Sequence, residues 1–345
     1  YYTSDLRNIG ADLKAAKEEL AGLLALLRGS AEKKWGQEDT RLPTRTEYVK
    51  YTQNYKSRAV VDFDKGTVRV ETVAEEAPEQ SLQNAIVTTL LTPNDPRSVD
   101  LFSDKEVALS GQPYLYNLVL DDQGRPIGTP DQAEAYARAL ADRAQRRTVQ
   151  TADGSRTATF ADIPMVNDYE NRGARRYKPY VDRYAEKYGV SRSLIYAVIR
   201  TESNFNPFAV SPVPAYGLMQ LVPTSGGRDA YRKVTGSDAA PSKDYLFDPD
   251  RNVELGTAYL SIVERDHLGQ VRDPVAREYC GIAAYNTGAG NVLKTFSRDR
   301  TEAFRLINAL PPGEVFEKLR NELPYEETRQ YLPKVVAARR NFSAY

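Results

Sequence analysis

An α+β domain followed by an all-helical domain is the fold class this sequence predicts. The chain has 345 residues, more than one hydrophobic core usually serves, so about two domains are expected. Alternating apolar and polar residues, the period of a half-buried strand, recur between Ala59 and Met165. From Asn167 that alternation stops, and apolar residues spaced by three and four dominate to the end. These observations place an α+β domain over 1–166 and a helical domain over 167–345.

The elements follow in order. Leu6, Ile9, Leu13, Ala16, Leu20, Leu23 and Leu27 form one apolar stripe, so a helix is expected from Ser4, a capping residue, to a stop at Gly29. Packing on its own domain is preferred to a dimeric coiled coil. Ala59, Val61 and Phe63, then Asp64-Lys65-Gly66, then Val68 and Val70 read as a hairpin with glycine in its turn. Ser81 to Leu91 and Pro130 to Arg147 read as helices, and Arg156 to Met165 as a long strand. The polar stretch Asn167 to Arg176, with Gly173, is expected to be the linker. Beyond it, Asp248-Pro249 and Asp273-Pro274 look like helix starts, because aspartate caps free amides and proline has no N–H to lose. Gly189 and Gly269 stand where helices should end.

Composition narrows the function classes. Lysine plus arginine equals aspartate plus glutamate, for a formal net charge of zero, so a nucleic-acid footprint is not expected. No apolar run reaches the roughly 20 residues of a membrane span. The one cysteine, Cys280, cannot form an internal disulfide and reads as a buried structural thiol. The one histidine, His267, argues against a multi-histidine zinc site and reads as solvated. Aspartate and glutamate are left as the acid/base groups. The chain opens without a signal-type apolar stretch, either because a targeting segment was removed or because there was none.

The informative stretch is Ser191 to Ser203. Ile195, Val198, Ile199 and Glu202 are spaced i, i+3, i+4 and i+7, so Glu202 falls on the apolar face of a helix that Ser191 can cap. Burial of a carboxyl disfavours its charge and raises its pKa, as a general acid at neutral pH requires. The plain alternative is a glutamate in water at a fraying helix end, since Asn204 and Pro207 follow closely. Further along come Ser211, Gly217-Leu218-Met219-Gln220, Ala284-Tyr285-Asn286 with Gly288, and Glu327-Thr328-Arg329-Gln330-Tyr331-Leu332. Each piece alone is weak, but their order and spacing together are specific.

On those motifs the helical part resembles the catalytic domain of the family-1 lytic transglycosylases, related to goose-type lysozyme. YVKYTQNYKSRAV, VDFDKGTVRVET and DPRSVDLFSD resemble the N-terminal domain of a membrane-bound branch of that family, so the resemblance covers nearly the whole chain. The implied fold is an α+β N-terminal domain followed by an all-α lysozyme-like (SLT-type) catalytic domain. The resemblance assigns catalysis to Glu202, with Tyr331 hydrogen-bonded to it. It assigns substrate contact to Ser203, Ser211, Gly217, Met219, Gln220, Tyr285 and Asn286. Each has a structural alternative. Ser203 can end the helix, Gly217 can permit close backbone approach, and Asn286 with Gly288 can form a C-cap. Met219, Tyr285 and Tyr331 can be core. This chain departs from the family pattern at Val213, where some members have a second serine, and at Thr287, where a small residue is common. Pro212 and Pro214 stiffen the preceding loop, and Pro333 is expected to kink its helix.

Most glycosidases use two carboxylates, and only one convincing candidate is present. The resemblance implies that Glu202 protonates the glycosidic oxygen between N-acetylmuramic acid and N-acetylglucosamine. It then takes the proton of the muramyl six-hydroxyl, which closes on carbon one to give a 1,6-anhydromuramyl end. No metal or organic cofactor is implied. The implied partners are peptidoglycan strands and muropeptides, cell-wall enzyme complexes, and an outer-membrane lipid anchor lying outside this chain, which places it in the periplasm. The alternatives are a goose-type muramidase, with Asp229 or Asp248 as a further carboxylate, and a non-catalytic peptidoglycan-binding scaffold. In the first domain Tyr48, Tyr51 and Tyr55 are candidate contacts, with ordinary packing preferred.

Overall fold

A computed structural model describes the chain from Tyr2 onward, with side chains from Gly10. The elements are α1 (Tyr2–Asp39), β1 (Glu47–Thr52), β2 (Ser57–Asp62), β3 (Thr67–Thr72), α2 (Pro78–Leu91), α3 (Pro130–Asp142), β4 (Gln145–Thr151) and β5 (Gly154–Pro164). Helices follow: α4 (Tyr169–Arg176), α5 (Lys178–Tyr188), α6 (Arg192–Ser203), α7 (Gly226–Thr235), α8 (Lys243–Phe247) and α9 (Pro249–Ser261), then a π-helical turn Ile262–His267. The chain closes with α10 (Pro274–Thr287), α11 (Ala289–Phe296), α12 (Arg300–Ala309), α13 (Pro312–Glu322) and α14 (Glu326–Asn341).

The described residues form two compact units. One holds the chain up to Arg176 together with Ser203–Gln220 and Lys243–Pro249. The other holds Tyr177–Glu202, Leu221–Ser242 and Asp250–Tyr345.

The first unit is built on an antiparallel sheet of order β1-β2-β3-β5-β4. In the hairpin β2–β3 the apolar residues pair on one face as the sequence predicts. Val61 lies opposite Val68, Ala59 opposite Val70, and all four are buried. The other face carries cross-strand ion pairs: Arg58 opposite Glu71 with 2.7 Å between charged atoms, and Arg69 opposite Asp162 with 2.6 Å. The hairpin turn has Gly66 at φ 65°. Tyr48 and Tyr51 are fully buried, which is the packing alternative raised from sequence.

Several expected boundaries move. The first helix does not stop at Gly29 but runs to Asp39, broken only at Gly36, whose φ of 71° is left-handed. Its stripe continues past Gly29 as Ala31 and Trp35, both fully buried in a cluster with Leu27, Val49 and Tyr51. That burial outweighs the modest penalty of an exposed helical glycine. The Ser4 cap, Leu6 and Ile9 lie outside the described side chains. The helix expected to reach Arg147 ends at Asp142, because 145–147 pair with β5. The polar stretch 167–176 is not an open linker: it contains α4, whose Arg172 and Arg176 donate to the carbonyls of Asn117 and Tyr116. Strand β1 escapes the alternation test because five of its six residues are buried on both faces. Strand β4 is a polar edge strand.

In the helical unit the aspartate signal holds at Asp273, whose carboxylate accepts from the amides of Val275 (2.8 Å) and Ala276 (2.9 Å). Gly189 ends α5 in the left-handed region. Helix α14 continues through Pro333 as one element. Cys280 is a buried free thiol, pushed up to about 12 by burial.

Candidate active site

Helix α6 starts directly after Ser191, whose carbonyl accepts from Leu194 and Ile195. Ile195, Val198 and Ile199 are fully buried, and Glu202, one turn further on the same face, is 5 % exposed. A water-exposed fraying end, the plain alternative, is therefore excluded for Glu202. The buried Tyr285 lies at the end of α10, and its phenol is held well above its ordinary range, first by burial and then by the nearby charge of Glu202. Its ring packs on Tyr259 of α9, with 5.4 Å between centroids at 53°. Tyr259 is itself pushed up to about 12, by burial and then by Asp229. Two phenols kept neutral thus lie in the fields of Glu202 and Asp229, and a neutral phenol can donate a hydrogen bond.

On the neighbouring strip of the same unit, Asn286 follows Tyr285. Its Oδ1 accepts from the Thr328 hydroxyl of α14 at 2.7 Å. Tyr331, one turn further along α14, is buried. Gly288, with φ 86°, caps α10, its backbone N–H donating a hydrogen bond to the Ala284 carbonyl.

The remaining sequence-predicted residues sit on the loop Ser203–Gln220, within the unit that contains the sheet. Ser203 is fully buried and donates to the Leu218 carbonyl at 2.7 Å. Asn204 and Phe205 turn the chain with φ of 48° and 63°, a conformation L-residues other than asparagine adopt at a cost. Asn204 donates to the Phe63 carbonyl and Asn206 to the Arg45 carbonyl, and Val210 N–H reaches the Thr44 carbonyl at 3.3 Å. Phe208 is packed between Tyr48 (4.7 Å) and Tyr114 (5.0 Å). Gly217 sits at φ 76°, where a side chain would be strained. Met219 is fully buried. The Gln220 amide donates to the carbonyls of Ala209 (3.2 Å) and Gly217 (3.0 Å), which fixes its orientation. The Ser211 hydroxyl donates to the Val213 carbonyl, so Val213 helps shape the turn through its backbone.

Asp248, weighed as a second carboxylate, is tied to Arg97 at 3.0 Å within its own unit. Sequence reasoning missed Tyr259 as a site neighbour and left Thr328 and Phe208 without a role. Phe208, an apolar residue in a polar turn-rich stretch, was the one with a visible signal.

Residues 13–178 match the family model described as membrane-bound lytic murein transglycosylase C, N-terminal domain, and residues 179–308 match the transglycosylase SLT domain. Membrane-bound lytic murein transglycosylase C of Yersinia pestis (strain Pestoides F) is 40% identical over 325 residues, covering 94% of this chain and 89% of the relative. The figures for the protein of that name from Yersinia pseudotuberculosis serotype O:1b (strain IP 31758) are the same: 40% identical, with 94% and 89% covered.

This chain belongs to the membrane-bound lytic murein transglycosylase C family.

As a lytic murein transglycosylase it is an enzyme that cleaves peptidoglycan, which decides against the non-catalytic scaffold alternative. Among solved structures, an inactive mutant of lytic transglycosylase Slt from Pseudomonas aeruginosa matches with 31% identity, covering 51% of this chain and 25% of that one, at a TM-score of 0.39. The 70 kDa soluble lytic transglycosylase of Escherichia coli matches with 29% identity, covering 48% and 24%, at a TM-score of 0.37. The relatives are named membrane-bound; among the described residues here no helix is long and apolar enough to cross a membrane.

Proposed function

We propose that Glu202 is the single general acid and base of a non-hydrolytic cleavage of the bond between N-acetylmuramic acid and N-acetylglucosamine. The observation that carries this is a carboxyl withdrawn from water on an apolar helix face, close enough to the Tyr285 phenol to act on it electrostatically. A carboxyl out of water keeps its proton more readily, as a general acid must.

The Glu202 proton goes to the glycosidic oxygen, and the bond from that oxygen to muramyl carbon one breaks. The positive charge that develops at carbon one is relieved by the sugar's own 2-acetamido group or along an oxocarbenium-like path. The Glu202 carboxylate then takes the proton of the six-hydroxyl, whose oxygen bonds to carbon one. Glu202 is regenerated, no water is consumed, and the product ends in 1,6-anhydromuramic acid. Tyr331 holds Glu202, and Ser211 orients the acetamido or another carbonyl oxygen. Gly217, Met219 and Gln220 shape the glycan groove, Tyr285 and Asn286 line it, and Ser203 supports it through the Leu218 carbonyl. Residues 167–345 carry the catalysis and residues 1–166 act as the accessory domain. The setting is the periplasm at the outer membrane, with cell-wall enzymes as partners.

The test is mass spectrometry of the fragments released from purified sacculi by the wild-type protein and by Glu202→Gln. Anhydromuramyl ends that disappear in the variant are expected. Reducing muramic ends from the wild type, or anhydromuramyl ends undiminished in the variant, would overturn the assignment.

A further inference from the structure

We infer that Thr328 is a positioning residue that sets which end of the Asn286 amide meets the glycan. The inference rests on the reading of Asn286 as a groove residue.

An asparagine amide has two different ends, an acceptor oxygen and a donor NH2, and a protein can present either one by turning it over. Thr328 decides the matter here. It lies in the first turn of α14, 1 % exposed, and its Oγ1 is 2.7 Å from Asn286 Oδ1. In mid-helix a threonine hydroxyl commonly gives its proton to the carbonyl four residues back, as Thr257 gives its own to Val253. For Thr328 the residue four back is Pro324, which precedes the helix. Asn286 Oδ1 is the acceptor that remains among the described residues, and a buried hydroxyl proton without an acceptor is costly. Turning the amide over would put Nδ2 against Oγ1 and leave that proton without an acceptor. The hydrogen bond therefore holds Oδ1 against Thr328, and Nδ2 is the end of this partly exposed amide left for a ligand.

The consequence is a polarity for this position. Asn286 offers a donor and takes an oxygen acceptor of the sugar, such as an acetamido carbonyl or a ring hydroxyl oxygen, and discriminates against a group that only donates.

The test measures cleavage of soluble, uncrosslinked glycan strands by the full chain, following strand shortening so that the result does not depend on which end-product forms. Thr328→Val keeps the shape and removes the hydroxyl. It is expected to lower kcat/KM about five- to tenfold, mainly through KM, as loss of one hydrogen bond would. Thr328→Ser restores the hydroxyl and should stay within about twofold of wild type. Asn286→Asp keeps an acceptor for Thr328 and removes the donor, so it should raise KM at least as much as Thr328→Val. The deciding readout is the double variant: with Asn286→Ala in place, adding Thr328→Val should change nothing, because the two act as a unit. Costs that multiply independently, or an Asn286→Asp protein with wild-type KM, would overturn the inference. Both outcomes leave the assignment of Glu202 untouched.

Discussion

The helices that carry Glu202, Tyr285, Asn286 and Tyr331 and the loop that follows Glu202 are held by different forces. The helical residues are placed by close packing: Ile195, Val198, Ile199, Leu332 and Val335 are fully buried, and the carboxyl and phenols ride on that packing. The loop Ser203–Gln220 has almost no regular structure. It is placed by side-chain-to-backbone hydrogen bonds from Asn204 and Asn206 to residues about β1 and β2, and by Phe208 set between Tyr48 and Tyr114. Three of its non-glycine residues, Asn204, Phe205 and Gln220, hold left-handed backbone. Each such residue costs on the order of 1–3 kcal/mol, and persists only where surrounding contacts over-determine it. A segment next to the catalytic candidate in sequence thus depends on the accessory sheet for its shape. The sheet unit does more than extend the chain.

This contrast can be tested. The largest expected effect is on rate: Glu202→Gln should lower turnover by roughly 10²–10⁴-fold while the melting temperature stays near that of the wild type. A large loss of stability in that variant would make Glu202 part of the packing rather than a group carried by it. Phe208→Ala should cost about 3–5 kcal/mol in denaturant unfolding of the sheet unit, with activity falling although Glu202 is intact. Full activity at a temperature where the variant remains folded would mean that the loop keeps its shape without the sheet. Asp273→Ala removes the cap at the far end of the helix that bears Tyr285 and Asn286, and should cost about 1 kcal/mol with little change in rate.

The smallest expected effect is in pH dependence, and here two buried groups, Tyr259 and Lys50, act with opposite sign. Tyr259 in the helical unit is raised from its ordinary value of 10.0 to about 12, so its native state holds a proton that the unfolded state loses first. Its contribution is complete below pH 10 and disappears as pH rises through 12. Cys280 acts in the same direction from its ordinary 9.0 upward. In the sheet unit, Lys50 is buried with its ammonium donating to the carbonyls of Asp100 and Ser103, and burial lowers it from 10.5 to about 8. Between those values the unfolded state binds more protons, so this contribution to stability grows as pH rises from 8 to 10.5. Urea unfolding followed across pH 7–11 should show the rising component lost in Lys50→Met. A wild-type slope in that variant would exclude Lys50 as its source.

Much of this was legible before any coordinates. Ile195, Val198, Ile199 and Glu202 share a face because 3.6 residues make a turn, so spacing puts Glu202 on the apolar side, and the structure decides that it is buried there rather than in water at the helix end. The hairpin around Gly66 and the cap at Asp273 follow from local backbone chemistry that neighbouring residues carry. Elements without such local signals were not legible. Strand β1 is buried on both faces and does not alternate, β4 is a polar edge that exists because β5 pairs with it, and α1 passes Gly29 because Trp35 has a core to enter.

What the sequence determined by itself was the order of the two parts, the helical periodicity that puts Glu202 on the apolar side, and the motif spacing that marks the family. Those depend on residues close in the chain or on identity at fixed positions. Only the tertiary structure decided that the loop after Glu202 belongs with the sheet, and that Thr328 turns the amide of Asn286. The loop is joined to Phe63 and Arg45 across 141 and 161 residues of chain, and Thr328 reaches Asn286 across 42. Contacts at that separation leave no period in the sequence, because each is a single pair of atoms brought together by the packing of everything between them.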